Sequence, residues 1–356
     1  MCAALAERAD TPPEHLPALD GLRGLAVLLV LLDHASDTGM RFTEAMDLNR
    51  AGKYGVYLFF VLSAFLLTLP FCRPDGPKLD DARTWLNYFL RRFVRIFPLY
   101  AIVLAVLGVL LPADKAGSMS FVAHLLIRDG QDQFWSIPVE VKFYLVLPMI
   151  GVALAFLRRR AWWKSLAAAL GAVAVTAAVF VNERAWSLTE TILLAKSIRP
   201  FLFGSAAAFV HATVVVRFAR SRWFALGCEV GAFLALGAVV LRIPYFYERV
   251  FGVVVRKMPG DQLILGALWS VLILGALGGT GWMRSALAWP PLRYLGAISF
   301  SVYLWHRKFL SDVVDLPLPA QVRLAVFIAI VVAVASATYF LVERPLSRVR
   351  LRARCE

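Results

Sequence analysis

The segment LDGLRGLAVLLVLLDH, residues 19–34, carries ionisable side chains at both ends of an apolar run. On a helix of 3.6 residues per turn, Arg23 and His34 share one face but lie about 16 Å apart along the axis, so they cannot touch each other. Histidine can take a proton from a hydroxyl near neutral pH, and arginine can hold an anion. From these residues alone a structural alternative is equally open, in which Arg23 anchors the helix at an interface and His34 ends it.

A second group of ionisable residues lies in YFLRRFVRIFPLY, residues 88–100, which contains Arg91, Arg92 and Arg95. The planar guanidinium suits bidentate contact with phosphate, and two arginines three positions apart lie on one helix face. The same side chains could instead snorkel to the membrane surface and set the orientation of the helix. The pattern therefore permits phosphate binding without requiring it.

Two later segments place ionisable groups inside apolar sequence. QFWSIPVEVKFYLVLP contains Glu140, and LGAISFSVYLWHRKFL contains His306. Such a residue is costly within a membrane unless a cavity or a partner receives it, so each is a candidate for function. Glu140 could orient a histidine, or it could form a structural ion pair with an arginine of another helix.

The composition indicates that membrane-spanning helices position these residues. Of 356 residues, 60% are hydrophobic and 17% are charged, and the mean hydropathy is +0.69, whereas soluble proteins carry about 25% charged residues. A spanning helix needs about 20 mostly apolar residues. We predict an all-α, polytopic transmembrane bundle of about ten helices, at residues 18–36, 55–72, 88–111, 137–157, 165–181, 192–216, 224–241, 261–278, 295–316 and 322–342. The segment FVAHLLI is too short to span and is expected to be interfacial or re-entrant.

The net charge of +14 comes from short basic clusters between apolar runs. This distribution is typical of the positive-inside pattern and not of a nucleic-acid-binding surface. With ten spans, both termini are expected in the cytoplasm, with one membrane domain over residues 16–345 and short cytoplasmic tails at 1–15 and 346–356. The four cysteines have no paired spacing, so we expect neither a disulfide framework nor a metal site.

Taken together and in this order, the motifs resemble the acyltransferase-3 family of integral membrane O-acyltransferases. The similarity covers nearly the whole chain. Its segments are an Arg-x10-His formed by Arg23 and His34, GVYLFFVLSAFLLT, an Arg-x-x-Arg formed by Arg92 and Arg95, WSIPVEVKFYLVLP, LGAISFSVYLWH and the late ERP at 343–345.

The resemblance implies transfer of an acyl group, such as acetyl, from acyl-CoA to a hydroxyl of a sugar or cell-envelope polysaccharide precursor. Acyl-CoA would be a substrate, and no permanently bound cofactor is implied. His34 would act as general base and Arg23 would help to hold the donor. Glu140 would orient His34, because Asp33 lies about 100° away around the helix. The protein would be a multi-pass protein of the bacterial cytoplasmic (inner) membrane.

The resemblance also suggests binding residues for the two substrates. Arg92 and Arg95, with Arg91 beside them, would bind the phosphates of the coenzyme. The acceptor-site candidates are Trp135, Trp305 and His306.

The chain departs from the family pattern at several positions. Ala64 replaces the usual glycine, Pro138 and Lys142 alter the motif around Glu140, and the proline usual after the Trp-His pair is absent, since the chain reads RKFL. Two other functions stay open at this point. The acceptor could be a small secondary metabolite such as a macrolide, or the protein could be a transporter, although we find none of the inverted repeats typical of many transporters.

Overall fold

Helices are the only regular secondary structure among the residues that this computed structural model describes, which are 16–43, 47–74, 76–77, 81–110, 121–127, 132–158, 163, 167, 171, 193–254 and 261–347. The helices are α1 (Pro17–Asp37), α2 (Gly52–Thr68), α3 (Ala82–Leu110), α4 (Phe121–Leu125), α5 (Ser136–Arg158), α6 (Leu193–Val210), α7 (Val216–Phe218), α8 (Arg222–Arg242), α9 (Pro244–Phe251), α10 (Asp261–Gly278), α11 (Trp282–Leu287), α12 (Pro290–Ala297), α13 (Ser299–Val313), α14 (Ala320–Thr338) and α15 (Arg344–Leu346). Two 3₁₀ turns (Leu69–Cys72 and Asp132–Trp135) and two π turns (His211–Val215 and Tyr339–Glu343) extend or join these helices. The all-α prediction is confirmed for these residues.

Within the described residues, six helical stretches are long and apolar enough to cross a membrane, namely Gly52–Cys72, Gln133–Arg158, Ser197–Phe218, Arg222–Arg242, Asp261–Gly278 and Ala320–Leu346. The prediction of a multi-pass membrane protein is therefore confirmed. Helices α1 and α3 also form where spans are predicted, with 21 and 29 residues. The predicted span at 165–181 falls outside the described residues except for two single positions. The count of ten and the sides of the termini stay predictions.

One predicted span has a different form in the structure. The run at 295–316 is divided, because α12 ends at Ala297 and α13 begins at Ser299, with Ile298 at φ −92° and ψ 4° between them. Residues 290–297 therefore form a separate short helix before α13. The short segment FVAHLLI contains the five-residue helix α4.

Helix α2 lies at the centre of the bundle and contacts α1, α5, α6 and α10. Within its apolar window 72% of the residues are buried, whereas only 17% are buried in the window that contains α14. Because lipid tails are as apolar as the side chains, an apolar sequence alone does not decide which helices lie inside a membrane bundle. Close packing at small residues determines which helices lie inside the bundle.

Two glycines let α1 and α12 approach within backbone contact. A Cβ at Gly24 would overlap the carbonyl group of Leu292, and a Cβ at Gly296 would overlap the carbonyl oxygen of Asp20. Small residues at helix crossings are typical of membrane proteins for this reason. The close crossing holds α1 beside α12 and α13, so that the polar face of α1 meets α13.

Candidate active site

The two histidines singled out by the sequence lie together between α1 and α13. The rings of His34 and His306 stack with their centroids 5.2 Å apart and their planes at 24°. The side chain of His34 is 28% exposed, whereas His306 is fully buried. We call these two rings the histidine pair. His34 is thus the outer, partly exposed ring of the pair and His306 is the inner, buried ring.

Two charged groups approach the outer ring of the histidine pair. The guanidinium Nη1 of Arg307 lies 3.5 Å from Nδ1 of His34, and a carboxylate oxygen of Asp33 lies 3.7 Å from the same atom. The sequence predicts Asp33 to be a poor orienter of His34; its carboxylate lies near Nδ1 but beyond hydrogen-bond distance. Neighbouring helix positions diverge at Cα, but a short carboxylate can fold back towards a ring nitrogen close to the backbone.

Asp33 also has a structural role. Its carboxylate accepts hydrogen bonds from the backbone N–H groups of Arg50, Ala51 and Gly52. These amides lie at the first turn of α2, where backbone donors have no partner within the helix and a negative charge is favoured by the helix dipole. Asp33 therefore fixes the end of α1 that bears His34 to the start of the central helix.

The inner ring of the histidine pair is held by its own helix. Nδ1 of His306 lies 2.7 Å from the carbonyl oxygen of Tyr303. The hydroxyl of Tyr303 in turn donates to the carbonyl of Gln133 and accepts from Ser136 at 2.8 Å. This chain of hydrogen bonds joins α13 to the beginning of α5 and sets the orientation of the His306 ring.

A second polar group lies further along α1, around Arg23. Its guanidinium Nη2 donates to the hydroxyl of Ser299 at 3.5 Å. It also interacts electrostatically with Arg95, Asp20, Glu343 and Glu140. We call Arg23, Arg95, Glu140 and Glu343 the charge cluster. Its members come from α1, α3, α5 and the π turn that follows α14.

Glu140 belongs to the charge cluster, and its hydrogen-bond partners in the described part of the chain are hydroxyl groups and not histidines. Its carboxylate accepts from the hydroxyl of Ser63 at 2.8 Å and from the hydroxyl of Tyr144. The prediction that Glu140 orients His34 is therefore not supported by these contacts. The alternative, that Glu140 balances the charge of an arginine from another helix, agrees with its interaction with Arg23.

The three arginines of α3 occupy different environments. Arg92 places its guanidinium carbon 5.8 Å from the centre of the Tyr144 ring, a cation–π contact beside Glu140. Arg95 is exposed and is close enough to influence Arg23. Arg91 is also exposed and donates to the carbonyl of Asn87 on its own helix at 3.1 Å. The structure thus associates Arg92 and Arg95 with the charge cluster and directs Arg91 elsewhere.

Of the two predicted tryptophans, Trp305 precedes His306 directly and Trp135 lies just before α5. Both have mainly aromatic neighbours. Trp135 packs edge-on against Phe60, with centroids 6.0 Å apart. Trp305 is buried at 6% exposure and lies 6.0 Å from the ring of Phe309. Its indole N–H has no hydrogen-bond partner among the described residues. Trp305 therefore retains a buried donor in the helix that carries His306.

Sequence reasoning missed Glu343, which accepts a hydrogen bond from Ser301 within the charge cluster. The signal was present, because Glu343 interrupts an apolar helix, and an acid at such a position marks a functional candidate. Among the described residues, no group of three or more histidines, cysteines and acids could hold a metal ion.

The geometry therefore defines a membrane bundle with two polar centres joined by α1 and α13. The model of the acyltransferase-3 family, described as an acyltransferase domain, matches residues 16–342. The chain belongs to this family, as the motifs indicate.

The chain is similar to several bacterial proteins along most of its own length. A Bacillus subtilis (strain 168) protein named as a candidate peptidoglycan O-acetyltransferase is 26% identical over 375 residues, covering 93% of this chain and 55% of the relative. The peptidoglycan O-acetyltransferase OatA of Listeria monocytogenes serovar 1/2a (strain ATCC BAA-679 / EGD-e) is 23% identical over 381 residues, covering 94% and 56%. A candidate O-acetyltransferase of Staphylococcus aureus (strain COL) is 22% identical over 373 residues, covering 95% and 58%. The chain spans little more than half the length of these relatives. No solved structure matches the chain significantly.

Proposed function

We propose that this protein is a membrane O-acyltransferase that moves an acyl group, such as acetyl, from acyl-CoA to a hydroxyl of a cell-envelope glycan. The observation that carries the proposal is the pair of polar centres on one face of α1, one containing arginines balanced by acids and one built from histidines. The names of the relatives support a glycan acceptor and an acetyl group. The bacterial sources of these relatives support placement in the cytoplasmic membrane of a bacterium.

The charge cluster and its neighbours would receive the donor. Arg92 and Arg95 offer the planar, forked donors that suit bidentate contact with phosphate. Arg23 interacts with Arg95, and Glu140 and Glu343 offset the repulsion between these two arginines. The coenzyme would bind here with its pantetheine arm extended along α1 towards the histidine pair, a distance of about 16 Å between Arg23 and His34.

The histidine pair would be the place of reaction. The acceptor hydroxyl attacks the thioester carbonyl, its proton passes to a histidine, and the C–S bond breaks to release the coenzyme thiol, which takes up the proton. No covalent enzyme intermediate is needed, because a positioned base activates the alcohol directly. The family resemblance gives the base role to His34, and its partial exposure agrees with access by an acceptor.

Labelled donors test the proposal. Membranes containing the wild-type protein are incubated with labelled acetyl-CoA or with longer acyl-CoA, and the labelled products are identified by mass spectrometry. We expect transfer to a glycan fraction, with a loss of at least about 100-fold in His34→Ala. His211→Ala is the matched control, since His211 packs edge-on against Phe65 on α2 and belongs to neither polar centre.

The same labelled products identify the acceptor. Label in secreted small molecules in place of glycan would assign the protein to metabolite acylation. Absence of transfer from every acyl-CoA, with the protein folded and inserted, would refute the proposed reaction.

A further inference from the structure

The hydrogen bond of His306 fixes which of its ring nitrogens carries a proton. Nδ1 lies 2.7 Å from the carbonyl oxygen of Tyr303. A carbonyl oxygen can only accept, so the hydrogen must be on Nδ1. In the neutral ring the lone pair is then on Nε2.

That lone pair is buried and has no donor in the described part of the chain. His306 is fully buried, and its Nε2 has no hydrogen-bond partner among those residues. Leaving a buried acceptor unpaired is unfavourable, because the atom loses its hydrogen bond to water and gains none in return. Buried polar atoms without a hydrogen-bond partner are uncommon in proteins, and a catalytic role is one of the few reasons for which a protein retains one.

The contact between Arg307 and His34 favours the opposite arrangement in the outer ring. Arginine has donors and no acceptor, so the guanidinium nitrogen 3.5 Å from Nδ1 of His34 can form a hydrogen bond there only if that atom carries a lone pair. The neutral ring then carries its proton on Nε2. The carboxylate of Asp33 is further from Nδ1, at 3.7 Å, and it already accepts three backbone N–H groups.

We propose that the two stacked rings divide the reaction between them, with Nε2 of His306 as the proton acceptor and Nε2–H of His34 as a hydrogen-bond donor to the thioester carbonyl. This inference rests on the proposed acyl transfer and exchanges the roles that the family resemblance suggests. It makes His306 a catalytic residue and Arg307 a positioning residue that sets the tautomer of His34.

The proposed step balances with one base. As the acceptor oxygen bonds to the carbonyl carbon, its proton moves to Nε2 of His306 and negative charge develops on the carbonyl oxygen. The N–H of His34 stabilises that charge, as donors in an oxyanion hole do. When the C–S bond breaks, the proton on His306 passes to the leaving sulfur. The products are the ester and the free coenzyme thiol.

Nitrogen-15 NMR tests the tautomers without any acceptor. The full-length protein, labelled in its histidine rings and held in detergent micelles, should give an unprotonated Nε2 signal for His306 and a protonated Nε2 signal for His34. Loss of each signal in His306→Asn and His34→Gln assigns it. A proton on Nε2 of His306, or a lone pair on Nε2 of His34, would overturn the inference even if acyl transfer is established.

The same two variants separate the roles kinetically. Asparagine at 306 can keep the N–H that faces the Tyr303 carbonyl while removing Nε2, and glutamine at 34 can keep an N–H near the position of Nε2. With acetyl-CoA as donor and soluble peptidoglycan fragments as acceptor, we expect His306→Asn to lose about 100- to 10,000-fold in kcat. We expect His34→Gln to keep roughly a tenth of kcat, while His34→Ala loses about 100- to 1,000-fold.

Folding is checked by thermal unfolding of each variant in the same detergent. The reverse order of activities, with His34→Gln as inactive as His34→Ala and His306→Asn active, would overturn the inference and return the base role to His34. Failure of the wild type to transfer from acetyl-CoA would instead refute the proposed function, and the NMR result would still decide the tautomers.

Discussion

Single residues explain why the ends of the polar face of α1 are chemically different. Arg23 lies among charges from four segments, whereas His34 lies against a second imidazole and a guanidinium. A permanently charged group suits anion binding, and a group that titrates near neutral pH suits proton transfer. We therefore expect substitutions at the two ends to affect different kinetic parameters.

Arg23→Ala tests this separation. Because the proposed role of Arg23 is to hold the donor, its removal should raise the KM for acyl-CoA by about 10-fold or more, with a smaller effect on kcat. The measurement is a saturation curve in acyl-CoA at fixed acceptor concentration. Arg249→Ala, which removes an exposed arginine of α9, should leave both parameters unchanged. An unchanged KM in Arg23→Ala with reduced kcat would contradict a donor-binding role.

The sequence located most of the site residues but not their pairings. The spacing of Arg23 and His34 follows from helix periodicity alone, and α1 is unbroken over both positions. The directions of side chains in three dimensions decide these pairings. Glu140 accepts hydrogen bonds from Ser63 and Tyr144, and Asp33 lies closer to His34 than expected. Periodicity gives the face of a helix and says little about which neighbour the face meets.

At the scale of elements, the site depends on how closely α1 can lie against α12 and α13. Gly24 and Gly296 allow backbone contact at the crossing. The same crossing places Ser299, at the start of α13, within reach of Arg23. The division of the predicted span at Ile298 is part of this arrangement. Helix α12 forms the close crossing with α1, and α13 begins just after it and carries His306. Hydropathy could not reveal the division, since both parts belong to one apolar run.

Gly24→Leu should disrupt this crossing. The new side chain would overlap the backbone of Leu292, and backbone cannot rotate away as a side chain can. We expect a loss of stability of about 1–3 kcal/mol or more, as in overpacked cores, together with loss of activity. The measurement is thermal unfolding in detergent alongside the acyl-transfer assay.

Gly237→Leu is the matched control for that substitution. Gly237 also lies within an apolar helix, α8, but a Cβ there meets no atom within 4 Å. The control should unfold near the wild-type temperature. Equal destabilisation of the two variants would show that the loss of glycine itself, and not the contact with α12, is responsible.

At the scale of the molecule, the central question is the number of crossings, because it decides which faces of the membrane hold the two polar centres. The described residues contain six stretches that are long and apolar enough to span. Helices α1, α3 and α13 occupy three further predicted spans but contain more ionisable residues or are shorter, since α13 has only 15 residues. Ionisable side chains that lie inside the bundle lower the mean hydropathy of the helices that carry them. Such helices are therefore harder to recognise as spans from sequence.

The two terminal cysteines can establish the parity of the crossings. Nine crossings result if α1, α3 and α13 span together with the six apolar stretches, and the predicted span at 165–181 would make ten. Ten crossings place Cys2 and Cys355 on the same side, and nine place them on opposite sides. Basic residues favour the cytoplasmic side, so we expect both cysteines to be in the cytoplasm.

A membrane-impermeant maleimide applied to intact spheroplasts should then label neither terminus, and the same reagent applied to inverted vesicles should label both. Cys2→Ser and Cys355→Ser identify the labelled position, while buried Cys72 and half-buried Cys228 are replaced by serine in every sample. Labelling of one terminus from each side would show an odd number of crossings and would contradict the ten-helix prediction.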